Sequence, residues 1–405
     1  MLLFQNAPVT RSIPRENKTK FSLLVIFFLI MCITGSALAD DRPEITIGAL
    51  IDLSGPTSSL GQQYYQGLAD ATTYLNRSGG IQGRPIKLVT DDYASDVPKA
   101  LALFSKQITV DKALAIQGWG AADTVALAPL VQQNRIVFMS AAFDAGLTDP
   151  GKAPFNFFIG ATYADQARMA VRFAKESGAQ TFCFIYPDHP YGQAPIPAGK
   201  EYARRLGLNL RPDVTIGLRA TEATAQLQRL LEAEPDFAWL GGTSPSVSVI
   251  LRDAAKIGLK TKFIVNVWGM DETLPKMIGD NIEGRIFGFL TVRPFGYDVP
   301  GTLKIKTMAG DKVYSHLYNL AWVAMMVMAE GLDEAAKVDQ LNGPGLKNAL
   351  EKLTNFDTGG LTPPLSFTPE DHRPTTTCGL YTFKNGRVVL VTDMSIERRP
   401  EYLGW

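Results

Sequence analysis

Histidine and cysteine are nearly missing from this chain, with three of each among 405 residues. His189, His316 and His372 lie far apart with no cysteine or carboxylate at ligand spacing. Neither HExxH nor CxxC occurs, so a zinc-type site is not expected. An excess of charge is also lacking, 40 basic residues against 40 acidic, and nothing draws in nucleic acid or an anionic membrane surface. GxxxxGK[ST], GxSxG and GxGxxG are absent too. Gly79-Gly80-Ile81-Gln82-Gly83 does not fit the last of these and precedes a strand. Asp91-Asp92 and Asp188-His189 come nearest to acid–base pairs, but carboxylates at strand ends more often cap turns and helices. No residue set nominates an enzyme, and neither cofactor nor metal is expected.

Long apolar runs are scarce as well. One, Phe21–Ile33, follows Arg11, Arg15, Lys18 and Lys20 and precedes Ala37-Leu38-Ala39. It falls short of the roughly 20 residues that span a bilayer. A basic, then apolar, then small-residue order is a secretory signal, so residues 1–39 are expected to be cleaved off after Ala39. Cys32 follows Met31 rather than the small residue that lipid attachment wants. Cleavage also removes four basic residues and Glu16, which leaves a net charge of −3. The mature chain is then expected to be soluble, in an exported compartment. Cys183 and Cys378 remain, both in strand-like runs. A disulfide is permitted there, but buried free thiols are the favoured reading.

What the chain does have is alternation. Short β-rich runs at Ile45–Ile51, Ile86–Thr90, Ala113–Ile116 and Ile136–Met139 are separated by helical periods. In one of these, Tyr64, Leu68, Ala71 and Leu75 form a stripe ended by Gly79-Gly80. After about Ile159 the pattern restarts. Strands are expected at Phe182–Tyr186, Leu210–Ile216, Phe237–Leu240, Phe263–Val267 and Ile286–Leu290, with helices near 164–177, 192–206, 221–233 and 246–258. A long apolar helix follows at about 313–330 and another at 344–353, and the Pro-rich stretches Arg293–Pro300 and Pro363–Pro374 read as connections. Such alternation predicts an α/β fold of parallel strands with crossover helices, in two lobes of similar design. Two turns after strands are rich in small residues, Gly118-Trp119-Gly120-Ala121-Ala122-Asp123-Thr124 and Ser140-Ala141-Ala142-Phe143. In open α/β sheets ligands collect there, close to helix N-termini, although tight helix–strand packing needs the same residues.

At this point a family resemblance enters. Ile47-Gly48-Ala49-Leu50-Ile51-Asp52-Leu53-Ser54-Gly55-Pro56, then Gly61, Gly67, Asn76, Gly79–Arg84 and Asp91-Asp92 resemble the opening of branched-chain amino acid-binding proteins of the leucine/isoleucine/valine type. Asp165-Gln166, Tyr186–Gly192, Asp236-Phe237, Gly241-Gly242, Ala255–Leu259 and Glu283-Gly284 continue the match, so that it runs through residues 44–395. The resemblance implies a type I periplasmic binding protein, with two Rossmann-like lobes joined by a hinge that the chain crosses three times. Lobe one is then expected at 44–159 plus 293–372, and lobe two at 160–292 plus 373–405.

The resemblance also implies a pocket, and several of its positions differ here. Hydroxyl side chains that hold a substrate carboxylate become Ala121 and Phe143, a tyrosine becomes Thr243, and an aromatic becomes Leu60. The acid that neutralises a substrate ammonium becomes Val267, followed by Trp268, while Tyr191 is retained. Losing that acid disfavours an amino acid, because a buried ammonium without a counter-charge costs several kcal/mol, unless Asp271 substitutes. A ligand carboxylate could still be held by the amides of Ala121–Asp123 and the Thr124 hydroxyl. Asp123 weighs against an anion unless it caps the helix. Trp119, Phe143, Tyr191, Trp268 and Tyr314 would add flat apolar walls. The full expected site is Leu60, Trp119, Gly120, Ala121, Ala122, Thr124, Ala141, Ala142, Phe143, Tyr163, Tyr191, Thr243, Val267, Trp268 and Tyr314.

The expectation is a periplasmic, non-enzymatic solute-binding component of an ABC importer that closes on an apolar or aromatic carboxylate. Its partners would be a membrane permease and an ATPase. A branched-chain amino acid ranks second as ligand and an amide or urea-like solute third. A sensor lobe feeding a signalling receptor and a cleft hydrolase or lyase are the rival classes.

Overall fold

The computed structural model describes residues 43–279 and 284–405. The export segment expected at 1–39, Cys32 within it, and Glu283 of the family match lie outside the described residues.

Two sheets organise the chain. β1 (Ile45–Ile51), β2 (Ile86–Asp92), β3 (Ala115–Gly118), β4 (Val137–Ser140) and β5 (Asn156–Phe157) pair in parallel in the order β2-β1-β3-β4-β5. Helices α1 (Ser58–Arg77), α2 (Val97–Thr109) and α3 (Ala121–Asn134) supply crossovers that parallel pairing requires. β1 is buried along nearly its whole length. Helices on both faces explain why its run ITIGALI shows no alternation.

The second sheet takes β6 (Thr181–Tyr186), β7 (Asn209–Leu210), β8 (Val214–Thr215), β9 (Phe237–Leu240), β10 (Lys262–Val265) and β11 (Ile286–Leu290) in parallel. The hairpin β12 (Thr377–Lys384) and β13 (Arg387–Ser395) adds to β11 antiparallel. α4 (Tyr163–Glu176), α5 (Pro190–Gln193), α6 (Ile196–Arg205), α7 (Thr224–Ala233), α8 (Ser244–Lys256) and α9 (Leu274–Ile278) belong to this stretch. The chain then returns to the first sheet with α10 (Pro300–Ala309), α11 (His316–Lys337) and α12 (Gly343–Leu350) before β12. It therefore passes between the halves three times. α11 seats against α1 so closely that a Cβ at Gly67 would lie 2.4 Å from the Tyr318 carbonyl oxygen.

Most sequence expectations place elements correctly and err where proline intervenes. The strand expected at Leu210–Ile216 is two short strands, because Pro212 lacks the N–H a ladder needs. The helix expected near 192–206 is interrupted at Ala194-Pro195 and becomes α5 and α6. The stretch beginning at Pro300 opens the helix α10, which the sequence reading missed, with proline at its first turn. The long helix expected from 313 starts at His316, where the Ser315 hydroxyl caps Leu317 N at 3.3 Å, and runs on to Lys337.

Cys183 and Cys378 are free and buried. They lie in the two apolar clusters on opposite faces of the second sheet, Cys183 in the one that holds Leu240 and Val265, Cys378 in the one that holds Trp239 and Phe289. Among the described residues no helix is long and apolar enough to cross a membrane.

Candidate functional site

A cavity of about 500 Å³ opens where strands of both sheets end. Tyr93 follows β2, Trp119 follows β3, Pro187 follows β6, Gly217 follows β8, Thr243 follows β9 and Trp268 follows β10, and all six line it. This is the carboxyl edge of both sheets, where connecting loops leave a crevice.

Aromatic rings form its walls. Trp119 meets Trp268 edge-on at 5.4 Å. Behind Trp268, Phe143 stacks at 5.7 Å. Tyr163 meets Tyr191 at 5.4 Å. Their polar atoms are engaged within the protein. Trp119 Nε1 donates to Thr57 Oγ1 at 2.9 Å, Trp268 Nε1 to the Tyr163 hydroxyl at 2.8 Å, and the Tyr191 hydroxyl to Gly242 O at 2.8 Å. Asn266 Nδ2 also donates to the Tyr191 hydroxyl. What remains for an occupant is the apolar ring surface, joined by Leu60.

Of the expected site residues, Leu60, Trp119, Gly120, Ala121, Ala122, Tyr163, Tyr191, Thr243 and Trp268 line the cavity. Six do not. Ala141, Ala142 and Phe143 are buried behind the lining. The Thr124 hydroxyl donates to Gly120 O within its own helix, at 2.5 Å, and is not turned to an occupant. Val267 is wholly buried. Tyr314 stacks on Tyr318 at 4.5 Å and meets Phe295, outside the lining. Asp271 supplies no cavity charge either. Its Oδ1 accepts from Thr273 N (2.7 Å), Thr273 Oγ1 (2.6 Å) and Leu274 N (2.9 Å), and so caps α9.

Acidic residues nevertheless stand on the lining of the cavity, although Val267 takes the place of the family's ammonium-binding acid. Asp123, in the first turn of α3, lines it and is 2 % exposed. Burial pushes its carboxyl up to about 7, even though the Tyr93 hydroxyl donates to its Oδ1 at 2.9 Å and the Gly120 amide also bonds it. Its Oδ2 has no hydrogen-bond partner among the described residues. Asp188 and His189 sit at the mouth. Asp188 accepts from Gln193 Nε2 at 2.6 Å, and His189 Nδ1 accepts from Tyr191 N at 3.3 Å, so that His189 caps the turn into α5. Arg219, exposed and with no ion pair among the described residues, is the one cation on the lining. The sequence offered a hint for Asp123, in a turn already singled out, but none for Arg219, a lone arginine in an unpatterned loop. Asp91 pairs with Lys106 at 3.0 Å, and Asp92 accepts from Leu53 N at 2.9 Å, away from the cavity lining. Among the described residues no group of three or more His, Cys, Asp or Glu could hold a metal ion.

The arrangement can grip a flat apolar body between rings and meet a polar head at the N-terminal turn of α3, where the first amides have no acceptor within the helix. A family profile described as "Periplasmic binding protein" matches residues 44–387. The Leu/Ile/Val-binding protein of Escherichia coli K12 is 25 % identical over 351 residues, covering 82 % of this chain and 93 % of its own. The crystal structure of an ABC transporter substrate-binding protein from Aeropyrum pernix superposes with a TM-score of 0.83 at 30 % identity, over 89 % of this chain and 98 % of that one. A solute-binding protein from R. palustris, solved with benzoate, has the same fold at a TM-score of 0.78 and 18 % identity, over 89 % and 99 %.

Proposed function

Because the chain belongs to the periplasmic binding protein family, we propose that it is the periplasmic solute-binding component of an ABC importer and captures a flat apolar or aromatic carboxylate. Its lobes are 44–159 plus 293–372 and 160–292 plus 373–405, and they close around the solute and deliver it to a membrane permease driven by an ATPase. The observation that carries the ligand class is the lining itself. Five aromatic side chains from both halves, Tyr93, Trp119, Tyr163, Tyr191 and Trp268, stand on it. The unpaired Arg219 and the N-terminal turn of α3 supply the positive potential for a carboxylate.

A second reading, capture of a branched-chain amino acid, is favoured by one observation, the presence of the acidic residues Asp123 and Asp188 on the lining. A thermal-shift panel of benzoate, 4-hydroxybenzoate, phenylacetate, isovalerate and leucine separates the two. A ligand at 100 times its Kd adds about 2.7 kcal/mol of stability, enough to shift the melt visibly. Stabilisation by aromatic acids and not by leucine is the expected result. The reverse pattern would show the ligand class to be wrong.

A further inference from the structure

We propose that the solute is an arylalkanoic acid, longer than a ring bearing its acid group directly, and that Pro56, Val97 and Leu218 grip its methylene spacer and set its length. Its ring lies among the buried aromatic side chains, and its carboxylate meets Arg219. This rests on the reading of the cavity as a carboxylate site and names which acid fills it. Size is the first argument. The cavity has about 500 Å³. That is room for about 16 waters at roughly 30 Å³ each, nearly twice the number of non-hydrogen atoms in benzoate.

The lining is the second argument, because its two ends differ. Tyr93, Trp119, Tyr163, Tyr191 and Trp268 are buried. The Tyr93 and Tyr191 hydroxyls and both indole N–H groups are bonded within the protein. The turn into α3 has an acid of its own, since the Gly120 amide bonds the Asp123 carboxyl. The arginine stands at the opposite end. Arg219 is exposed, with no ion pair among the described residues, and directly follows Leu218. The carboxylate is therefore held at the mouth and the ring inside.

The stretch that joins the two ends is apolar. Val97, at the start of α2, and Leu218, in the loop after β8, are half-buried, and Pro56, in the turn after β1, is exposed. Leu218 packs against the apolar cluster built on the first sheet, so both halves shape this wall. The hydroxyls beside it are occupied, Thr57 Oγ1 and Ser95 Oγ both donating to Asp52 Oδ2, at 2.7 Å and 2.5 Å. Exposure thus rises from the rings through Val97 and Leu218 to Arg219, which sets the order along the cavity. Benzoate anchored at Arg219 leaves part of the ring chamber unfilled. Each methylene inserted drives the ring inward and covers the wall, and a buried methylene is worth about fourfold in affinity.

Isothermal titration of the mature protein with benzoate, phenylacetate, phenylpropionate, phenylbutyrate and leucine tests this. The expected result is affinity that climbs with each methylene to an optimum at phenylpropionate or phenylbutyrate, roughly tenfold or more above benzoate. Val97→Ala and Leu218→Ala flatten the climb, because the spacer loses its wall. Arg219→Gln lowers the affinity of every acid by a similar factor and keeps the climb. A melt of each variant without ligand shows that it is folded, and either alanine variant serves if the other is not. An optimum at benzoate or phenylacetate, a climb that the alanine variants leave unchanged, or acids indifferent to Arg219→Gln overturn this proposal and leave the carboxylate reading standing. Leucine binding without any acid, or no acid binding at all, overturns both.

Discussion

Arg219 illustrates what one side chain can decide. It lies in the loop after β8 at the cavity mouth, exposed and with no ion pair among the described residues, so little of the folded state depends on it. A charge-assisted hydrogen bond to a ligand carboxylate is worth about 1.5–3 kcal/mol. Arg219→Gln should therefore weaken benzoate binding by roughly tenfold or more and reduce its salt dependence, while the melting temperature of the protein alone stays nearly unchanged. Calorimetric titration at low and high salt, beside a melt without ligand, checks this. At this scale the sequence was a partial guide. Small residues after strands marked the turn at Gly120–Ala122 because backbone access needs them, and aromatic residues beside such turns pointed to Trp119 and Trp268. Thr124 and Val267 misled, since residue type does not say which way a side chain turns. The Thr124 hydroxyl bonds back to Gly120 O, and Val267 is packed away from the gap.

At the scale of elements, the matched glycines Gly61 and Gly67 prove to be packing devices. α1 meets both the turn after β1 and helix α11, and the backbone approaches it at each contact. A Cβ at Gly61 would sit 2.0 Å from Asp52 O, and one at Gly67 2.4 Å from Tyr318 O. Gly67→Ala should gain the usual helical advantage of alanine and lose more to overpacking, for a net destabilisation of about 1–2 kcal/mol. Urea denaturation reads this as a lower midpoint at unchanged slope. A stabilised variant would mean that α11 moves aside freely. Strand and helix periods were legible because each buried face repeats locally. The hairpin β12–β13 was only half legible. Its first strand is an apolar run and Asn385-Gly386 is a hairpin-turn signal, but β13 shows mostly exposed and half-buried positions, and nothing local says that the hairpin joins β11 antiparallel on an otherwise parallel sheet. The positive φ of Asn385 (50°) and Gly386 (67°) marks the tight turn between them.

At the scale of the whole molecule, the question is what holds the two halves together across the cavity. Trp268 belongs to the loop after β10, yet it stacks on Phe143 and meets Trp119, both from the first half. Aromatic pairs add about 0.5–1.5 kcal/mol each beyond the area they bury. Those contacts alone bias the halves toward closure without fixing them there. A solute touching both walls adds to the same side of the balance, and only this differential contact can shift it. Moving such an equilibrium from 1:99 to 99:1 requires about 10⁴-fold preference for the closed form, which a ligand buried between ring faces can supply and one touching a single half cannot. Benzoate should therefore reduce the radius of gyration measured by small-angle scattering and change tryptophan emission with the same concentration dependence. Trp268→Ala removes the ring that bridges the halves, so it should lose the scattering change together with most of the affinity. If that variant still binds tightly and contracts, closure is driven by contacts elsewhere, and the aromatic walls are structural packing only.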